Sequence, residues 1–420
     1  MTARRTQVAL RMPHPAPRSG FVQAAAAKAE KPLTVVQVIS DLQSGGTGRH
    51  AIEIAETLVR AGNRAIIVSE GGRLEDDAKN AGATVIRLPV ATKNPSQIYR
   101  NARALGDLAQ DLHADLLHAQ SRAPAWSCLV ANRMTKIPFV ATYDGSFSER
   151  NPFKRLYNSV MVRGSRVIAP GERLAKMVSE RYGTAPERIS VVPRAMDLRE
   201  FDPVRVDAGK RAALAAKWGV GAKDRVILLP GRLSRPKAPH VLVEAATKLR
   251  EAGLKDFLCV FAGEHPTRSG YAGELWDRVH QAGLSGVVRF AGYSEDMPTA
   301  YSLADIVVCT SISQGGQRRA VLEAQAMGVP VAVSDSENGD EIVRAAPSLS
   351  ETRATGVLYR AGDSAEPAQS LFKLLAMGAP ARRAMGVRGR EWIASQFSKE
   401  TFAERLLAVY REVAGGAHKA

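Results

Sequence analysis

The sequence predicts an α/β protein made of two doubly wound, parallel-sheet domains that face each other across a cleft. Three observations carry this prediction. From Leu33 onward, short apolar runs alternate with amphipathic segments, the pattern of a parallel sheet wrapped by helices. The rhythm breaks once, over residues 193–224, where Pro193, Pro203 and a mixture of Lys, Arg and Asp surround one short helix, and then it restarts. Finally, 420 residues exceed one ordinary core but suit two domains of about 150–200 residues each.

Taken in order, the apolar runs place strands at residues 34–39, 65–69, 84–88, 115–117, 138–143, 166–169 and 189–192. Amphipathic segments between them, such as 50–61, 95–113 and 171–182, are helices. After the break, strands follow at 225–229, 257–262, 287–291, 306–310, 330–334 and 356–359, and helices at 379–396 and 399–413 end the chain. The organisation expected is a basic tail over 1–31, a first domain over 32–200, a linker over 201–224, a second domain over 225–396 and a terminal helical segment over 397–420. Two such domains in tandem place a cleft between the carboxyl ends of their sheets, where open α/β sheets bind ligands.

Composition bounds the partners. Hydrophobic residues make up 45% and charged residues 24%, ordinary globular values, but the formal charge is +16. That balance favours anionic partners: phosphorylated substrates, an acidic membrane surface or nucleic acid. Aromatic residues are only 6% and form no basic–aromatic stripe, so a nucleic-acid stacking platform is not expected. Cys128, Cys259 and Cys309 are odd in number and far apart, which excludes a disulfide framework and a C-x-x-C metal pair and fits a reducing cytoplasm. No run of eighteen apolar residues exists to span a membrane. In the first thirty residues Arg11, Pro13 and Pro15 interrupt what a secretory signal would keep apolar; the composition reads as a disordered basic tail, with an organelle transit peptide as the alternative.

Two regions carry chemistry. Ser44-Gly45-Gly46-Thr47-Gly48 follows the first strand and opens a helix, so its glycines let backbone N–H groups approach an anion closely. Gly46-x-Gly48-x-x-Ala51 with Glu70 at the end of the next strand satisfies a dinucleotide fingerprint; the same loop could line a sugar cleft, or serve only as a tight turn. In the second domain, Gly231-Arg232-Leu233 follows the strand at 225–229, and Lys237 precedes a helix. An arginine fork, a lysine point charge and a helix N-terminus together can neutralise a departing diphosphate without a metal. Glu323 is expected to begin an apolar helix that ends at Met327-Gly328, beside the strand at 330–334, where a carboxylate can accept both hydroxyls of a ribose. A nicotinamide-dependent oxidoreductase would leave these three residues without a role.

With G-R-L-x-x-x-K at 231–237 and E-A-Q-A-M-G-V-P-V at 323–331, the chain resembles the family-4 (group 1) glycosyltransferases of the GT-B fold, particularly bacterial members that build envelope polysaccharide and lipopolysaccharide. The match runs from about residue 34 to about 396. The resemblance implies two Rossmann-like domains, acceptor on the first and donor on the second, and a last helix that crosses back to the first domain. It implies a nucleoside-diphosphate sugar as co-substrate, retention of anomeric configuration, and no cofactor or metal. Arg232 and Lys237 would stabilise the leaving diphosphate, Glu323 would bind the donor ribose, and Gly45 and Gly46 would shape the cleft near phosphates and acceptor.

Six positions depart from the family pattern. Gly315 stands where the first glutamate of E-x7-E contacts the donor sugar, and Gln317-Arg318 replaces the customary F-G. Tyr143-Asp144-Gly145 replaces Y-H-G, Ala195 the glycine of P-x-G-V-D, Ala238 the glycine after the clamp lysine, and Glu337-Asn338 the pair before Glu341. Asp144 would hydrogen-bond the sugar or the acceptor nucleophile, or else cap a turn with Gly145. Gln314 or Gln317 would stand in for the missing glutamate. Arg122, after the fourth strand, would bind an anionic acceptor or pair with a surface acid. The segment Pro152-Phe153-Lys154-Arg155-Leu156-Tyr157, with Arg163 and Arg166, suits peripheral contact with anionic lipid at the inner face of the cytoplasmic membrane. The activity expected is transfer to an envelope glycan or lipid-linked acceptor, with a catalytically silent relative as the alternative.

Overall fold

In a computed structural model, which describes residues 31–43, 46–145, 151–263, 270–312, 319–336, 339–363 and 365–417, the apolar runs form two parallel sheets. The first contains β1 (Thr34–Val38), β2 (Arg64–Ser69), β3 (Thr84–Arg87), β4 (Leu116–Ala119), β5 (Phe139–Thr142), β6 (Arg166–Ala169) and β7 (Ile189–Val191). The second contains β8 (Arg225–Pro230), β9 (Phe257–Ala262), β10 (Val288–Gly292), β11 (Ile306–Cys309), β12 (Val331–Ser334) and β13 (Gly356–Tyr359). Sheets covered on both faces need strands that are apolar throughout, and β1 and β9 are buried at every position.

Strand order is β3-β2-β1-β4-β5-β6-β7 in the first sheet and β10-β9-β8-β11-β12-β13 in the second. Order therefore reverses between β1 and β4, and again between β8 and β11. At such a switch point the loops leaving neighbouring strands diverge to opposite faces and open a crevice at the carboxyl edge.

Fifteen helices among the described residues cover the sheets: α1 (Gly46–Arg60), α2 (Glu75–Asn80), α3 (Pro95–Asp111), α4 (Arg122–Thr135), α5 (Pro152–Asn158), α6 (Glu172–Tyr182), α7 (Ala208–Trp218), α8 (His240–Glu251), α9 (Tyr271–Gln281), α10 (Met297–Ser302), α11 (Arg319–Ala326), α12 (Gly339–Ile342), α13 (Ala365–Ala376), α14 (Ala379–Gln396) and α15 (Lys399–Ala417). Local chemistry sets their ends. The Asn94 side chain accepts the Ser96 N–H at 3.0 Å with Pro95 in the first turn, so α3 starts there. α1 buries the stripe Ala51, Ile54, Ala55 and Leu58 against the first sheet.

Most strand ends lie within one residue of the expected ones, and β4 departs furthest. β4 begins after Asp115, whose carboxylate accepts the Thr34 N–H at 2.7 Å, and it extends through His118. A polar residue there reads as the end of a strand. In the fold, the His118 ring is fully buried and bonds Tyr410 at 2.7 Å and Thr142 at 2.8 Å. Burial, reinforced by His50, lowers its pKa to about 3, so it sits in the core as a neutral ring.

The chain crosses between the sheets twice at one place. The Met196 N–H donates to the Phe397 carbonyl at 2.7 Å, and Lys399 bonds Asp197 at 2.6 Å. From that crossing α15 packs onto the first sheet, placing Phe402, Leu406, Tyr410 and Val413 in one core with Val35, Ile54 and Leu58. Four such side chains, at roughly 1.5–3 kcal/mol each relative to exposure, make α15 an integral part of that core. Leu33–Ala420 forms one compact unit. Cys128 and Cys259 are buried thiols, and burial raises both, Cys259 to about 12; Cys309 is half-buried and also free. Among the described residues no helix is long and apolar enough to cross a membrane. The tail over residues 1–30 lies outside the described residues.

Candidate functional site

The switch point of the second sheet carries the basic loop. β8 ends at Pro230, and the chain turns through Gly231 at φ +116° into Arg232. Leu233, 5% exposed, anchors the loop in the core, and a 3-10 turn over Arg235–Lys237 leads to α8. The exit of β11 holds this loop from beneath. Thr310 Oγ1 donates to the Lys237 carbonyl at 2.8 Å, and the Ile312 N–H to the Pro236 carbonyl at 3.1 Å. A Cβ on Gly263, after β9, would lie 1.9 Å from the Gly231 carbonyl oxygen, so that position needs glycine.

Ala238 takes the left-handed conformation, φ +45° and ψ +47°, that glycine adopts freely. An L-residue pays about 1–2 kcal/mol there. The loop thus keeps its backbone shape although the residue has changed from the family's glycine.

Arg232 and Lys237 are exposed, and neither makes an ion pair or side-chain hydrogen bond among the described residues. Neighbouring Arg235 behaves differently: it pairs with Glu274 at 2.6 Å and lies 4.9 Å over the Tyr271 ring. The N-terminus of α8 has no side-chain cap; the Val241 and Leu242 N–H groups turn back to the Ala238 and Pro239 carbonyls at 3.0 and 3.1 Å, so the helix adds its dipole to the loop more than free donors. Two exposed cations without a partner among the described residues, beside a helix terminus at a switch point, are an arrangement that can hold an anion.

Glu323, on α11, is 8% exposed. Its Oε1 accepts from Arg319 Nε at 2.7 Å and its Oε2 from the Tyr301 hydroxyl at 2.8 Å. Burial raises its pKa, and the pulls of Arg319 and Tyr301 offset that only in part. Arg319 reaches further: Nη1 donates at 3.0 Å to Glu53 Oε1 on α1. Burial would raise Glu53 too, but His50, Arg319 and Arg194 outweigh it and hold the carboxyl below its usual range. The carboxylate expected to face a ribose is therefore engaged at both oxygens by protein.

On the first sheet, Gly46 opens α1 and its carbonyl accepts from Arg194 at 3.2 Å. Arg194 also bonds Asp144, after β5. The Asp144 carboxylate thus joins an ion pair, and its Oδ1 is buried with no hydrogen-bond partner among the described residues. Arg122, at the start of α4, donates to the amide oxygen of Asn158 at 2.9 Å and lies 5.9 Å over the Tyr157 ring, which ties it to α5. Ser40 and Ser121 meet at 2.8 Å where the strand order reverses. Glu70, the acid of the dinucleotide reading, accepts the Ala91 N–H at 3.0 Å. Gly45, Gln314, Gly315, Gln317, Arg318, Glu337 and Asn338 lie outside the described residues.

The fold therefore gathers two bonded groups that share helix α1: Asp144, Arg194 and the Gly46 carbonyl form one, and Glu53, Arg319, Glu323 and Tyr301 form the other. Four members, Arg194, Glu53, Arg319 and Tyr301, were not marked as site residues by the sequence. Only Arg319 left a trace there, as an arginine four residues before a glutamate on one helix face. Among the described residues no group of three or more His, Cys, Asp and Glu side chains could hold a metal ion.

Known proteins place this architecture. Residues 44–200 match the family described as Glycosyltransferase Family 4, and residues 210–392 match Glycosyl transferases group 1. The D-inositol 3-phosphate glycosyltransferase of Saccharomonospora viridis is 29% identical over 288 residues, which take in 67% of this chain and 63% of that one. The chain thus aligns with less than two thirds of that relative's length. Among solved structures, a glycosyltransferase from Rickettsia africae ESF-5 superposes with a TM-score of 0.82 at 26% identity, covering 91% of this chain and 99% of the other. Anabaena Alr3699/HepE, solved in complex with UDP, shares the fold with a TM-score of 0.77 at 19% identity, covering 90% and 100%. With both of its sheets claimed by the two halves of one enzyme family, the chain belongs to the family-4, group 1 glycosyltransferases of the GT-B fold.

Proposed function

We propose that the protein is a retaining, metal-independent glycosyltransferase that moves a sugar from a nucleoside-diphosphate donor to an envelope glycan or lipid-linked acceptor. The observation that carries this reading is the pair of exposed cations, Arg232 and Lys237, which have no partner among the described residues and lie beside the N-terminus of α8. As the glycosidic bond of the donor breaks, negative charge builds on the diphosphate oxygen that leaves. Preorganised cations and N–H groups stabilise that charge most in a cleft that excludes water. Glu323 would take the donor ribose, and Gly46, Asp144 and Arg194 would line the acceptor side.

A membrane-bound acceptor draws support from α5. Phe153 is 81% exposed and Leu156 56%, next to the exposed cations Lys154 and Arg163. Apolar side chains that insert and cations that meet anionic headgroups are what a peripheral contact requires. Arg166, counted with this face in the sequence, instead bonds Glu412 of α15 and leaves it. Binding to anionic but not neutral vesicles, lost in Phe153→Ser/Leu156→Ser, is the expected result; equal binding to both removes the membrane contact.

The engaged state of Glu323, with Gly315 in the sequence where a glutamate is usual, favours one rival: a relative that binds nucleotide without turnover. Incubation with a panel of nucleotide sugars and a membrane extract as acceptor, following diphosphate release, separates the two. Release from one donor supports transfer. Measurable nucleotide affinity with no release from any donor supports the silent relative.

A further inference from the structure

Arg319 holds two carboxylates at once. Its Nε is 2.7 Å from Glu323 on its own helix, and its Nη1 is 3.0 Å from Glu53 on α1 of the first sheet. Glu323 has little room for a third partner, being 8% exposed with both oxygens engaged. A ribose that approaches it must displace one of the two. Tyr301 is fully buried, with its ring 6.3 Å from that of Phe201, and has no other place to go. The Arg319 side chain is 32% accessible, long, and already half transferred to Glu53.

We propose that Arg319 is a built-in competitor of the donor ribose, seated on Glu323 in the free protein and handed to Glu53 when donor binds. This inference rests on Glu323 being the ribose acid of the donor site. An arginine fork can move from one carboxylate to another, here to Glu53 whose second oxygen also faces His50 at 3.4 Å, and keep its own charge pairing; Glu323 gives up its cation for the ribose hydroxyls, which is why the net ribose contribution is small in the wild type. Glu53 is held below the usual carboxylate range and stays charged to receive it. The handover also has a geometric consequence. It strengthens an ion pair between α11 and α1, so occupation of the donor site draws on the helix that opens at Gly46. Arg319 acts here as a positioning residue, setting how much of the ribose interaction is available and linking it to the opposite sheet.

The test reads the ribose contribution alone. UDP, GDP and ADP are titrated calorimetrically beside their 2′,3′-dideoxy forms, and the ratio of dideoxy to ribo Kd is taken for the nucleotide that binds. A charge-assisted hydrogen bond corresponds to roughly ten- to a hundredfold in affinity. The wild type is expected to show a ratio of only a few-fold. Arg319→Gln raises it about tenfold because Glu323 is freed. Glu53→Gln lowers it toward one, because the guanidinium has lost its second seat. Opposite movement of the two variants is the signature; a structural strut would move both the same way or neither, and either result overturns the proposal. If Arg319→Gln does not fold, Glu53→Gln decides: a ratio near one supports the handover, and an unchanged ratio overturns it. Failure of the wild type and both variants to bind any of the three nucleotides overturns the donor-site reading itself, an outcome distinct from binding with an unmoved ratio.

Discussion

Replacing Arg232 by Gln and Lys237 by Met separates catalytic from structural roles. Both side chains are exposed and neither has a partner among the described residues, so their removal breaks nothing that holds the fold. A surface change of that kind stays within about 0.5 kcal/mol of wild-type stability. Transition-state stabilisation is a different quantity. One preorganised donor to a developing anion accounts for about 10²–10³ in rate, or roughly 3–4 kcal/mol. Each variant should therefore keep the wild-type unfolding midpoint and lose kcat by that factor, with KM rising less, since the charge these cations meet grows as the glycosidic bond breaks. Arg232→Lys keeps the charge but not the planar fork and should fall between, at about tenfold. The double variant should lose less than the product of the two, because both cations act on one leaving group. Initial rates with the donor found active, alongside thermal unfolding, measure the split. Retention of kcat within about threefold in both single variants refutes the clamp, and so does loss of activity that merely tracks loss of stability.

Three further outcomes follow from particular contacts. Tyr301→Phe removes the donor to Glu323 Oε2 inside a buried site and should cost about 1.5–3 kcal/mol, read as a lowered unfolding midpoint; no change would mean that the hydroxyl carries none of the carboxylate's burial cost. Gly263→Ala places a methyl 1.9 Å from the Gly231 carbonyl and should destabilise by about 1–3 kcal/mol while weakening nucleotide binding, whereas Gly286→Ala, with open space around it, should do neither. His118 has a folded pKa of about 3 against an ordinary 6.5, so below 6.5 the unfolded chain binds the extra proton. Stability should then fall from about pH 6.5 toward pH 3, by up to about 1.4 kcal/mol per unit from this group, and His118→Asn should flatten that slope; an unaltered acid limb would refute the neutral core histidine.

Much of the fold was legible because parallel sheets announce themselves. The inner strands, such as β1 and β9, are buried on both faces and appear as apolar runs, and the largest boundary shift is at β4, where His118 is polar yet satisfied by Tyr410 from a helix 292 residues away. No local pattern reports such a partner. The placement of Arg232 and Lys237 between β8 and α8 was equally legible, because sequence order carries that information. Asp144 shows the limit. Its neighbour Gly145 suggested a turn cap, and its actual partner, Arg194, comes from the segment after β7, brought alongside by the parallel order of β5, β6 and β7.

By itself, the sequence determined the two-sheet architecture, the family, and the residue types available to meet a diphosphate, because those properties reside in short-range pattern and chain order. Tertiary structure alone decided which of those residues are spent. It left Arg232 and Lys237 open, engaged Glu323 with Arg319 and Tyr301, and joined Arg319 to Glu53 across 266 positions of sequence. Whether a charge faces a ligand or another side chain depends on what packing brings within about 3 Å of it, and that distance is written in the fold.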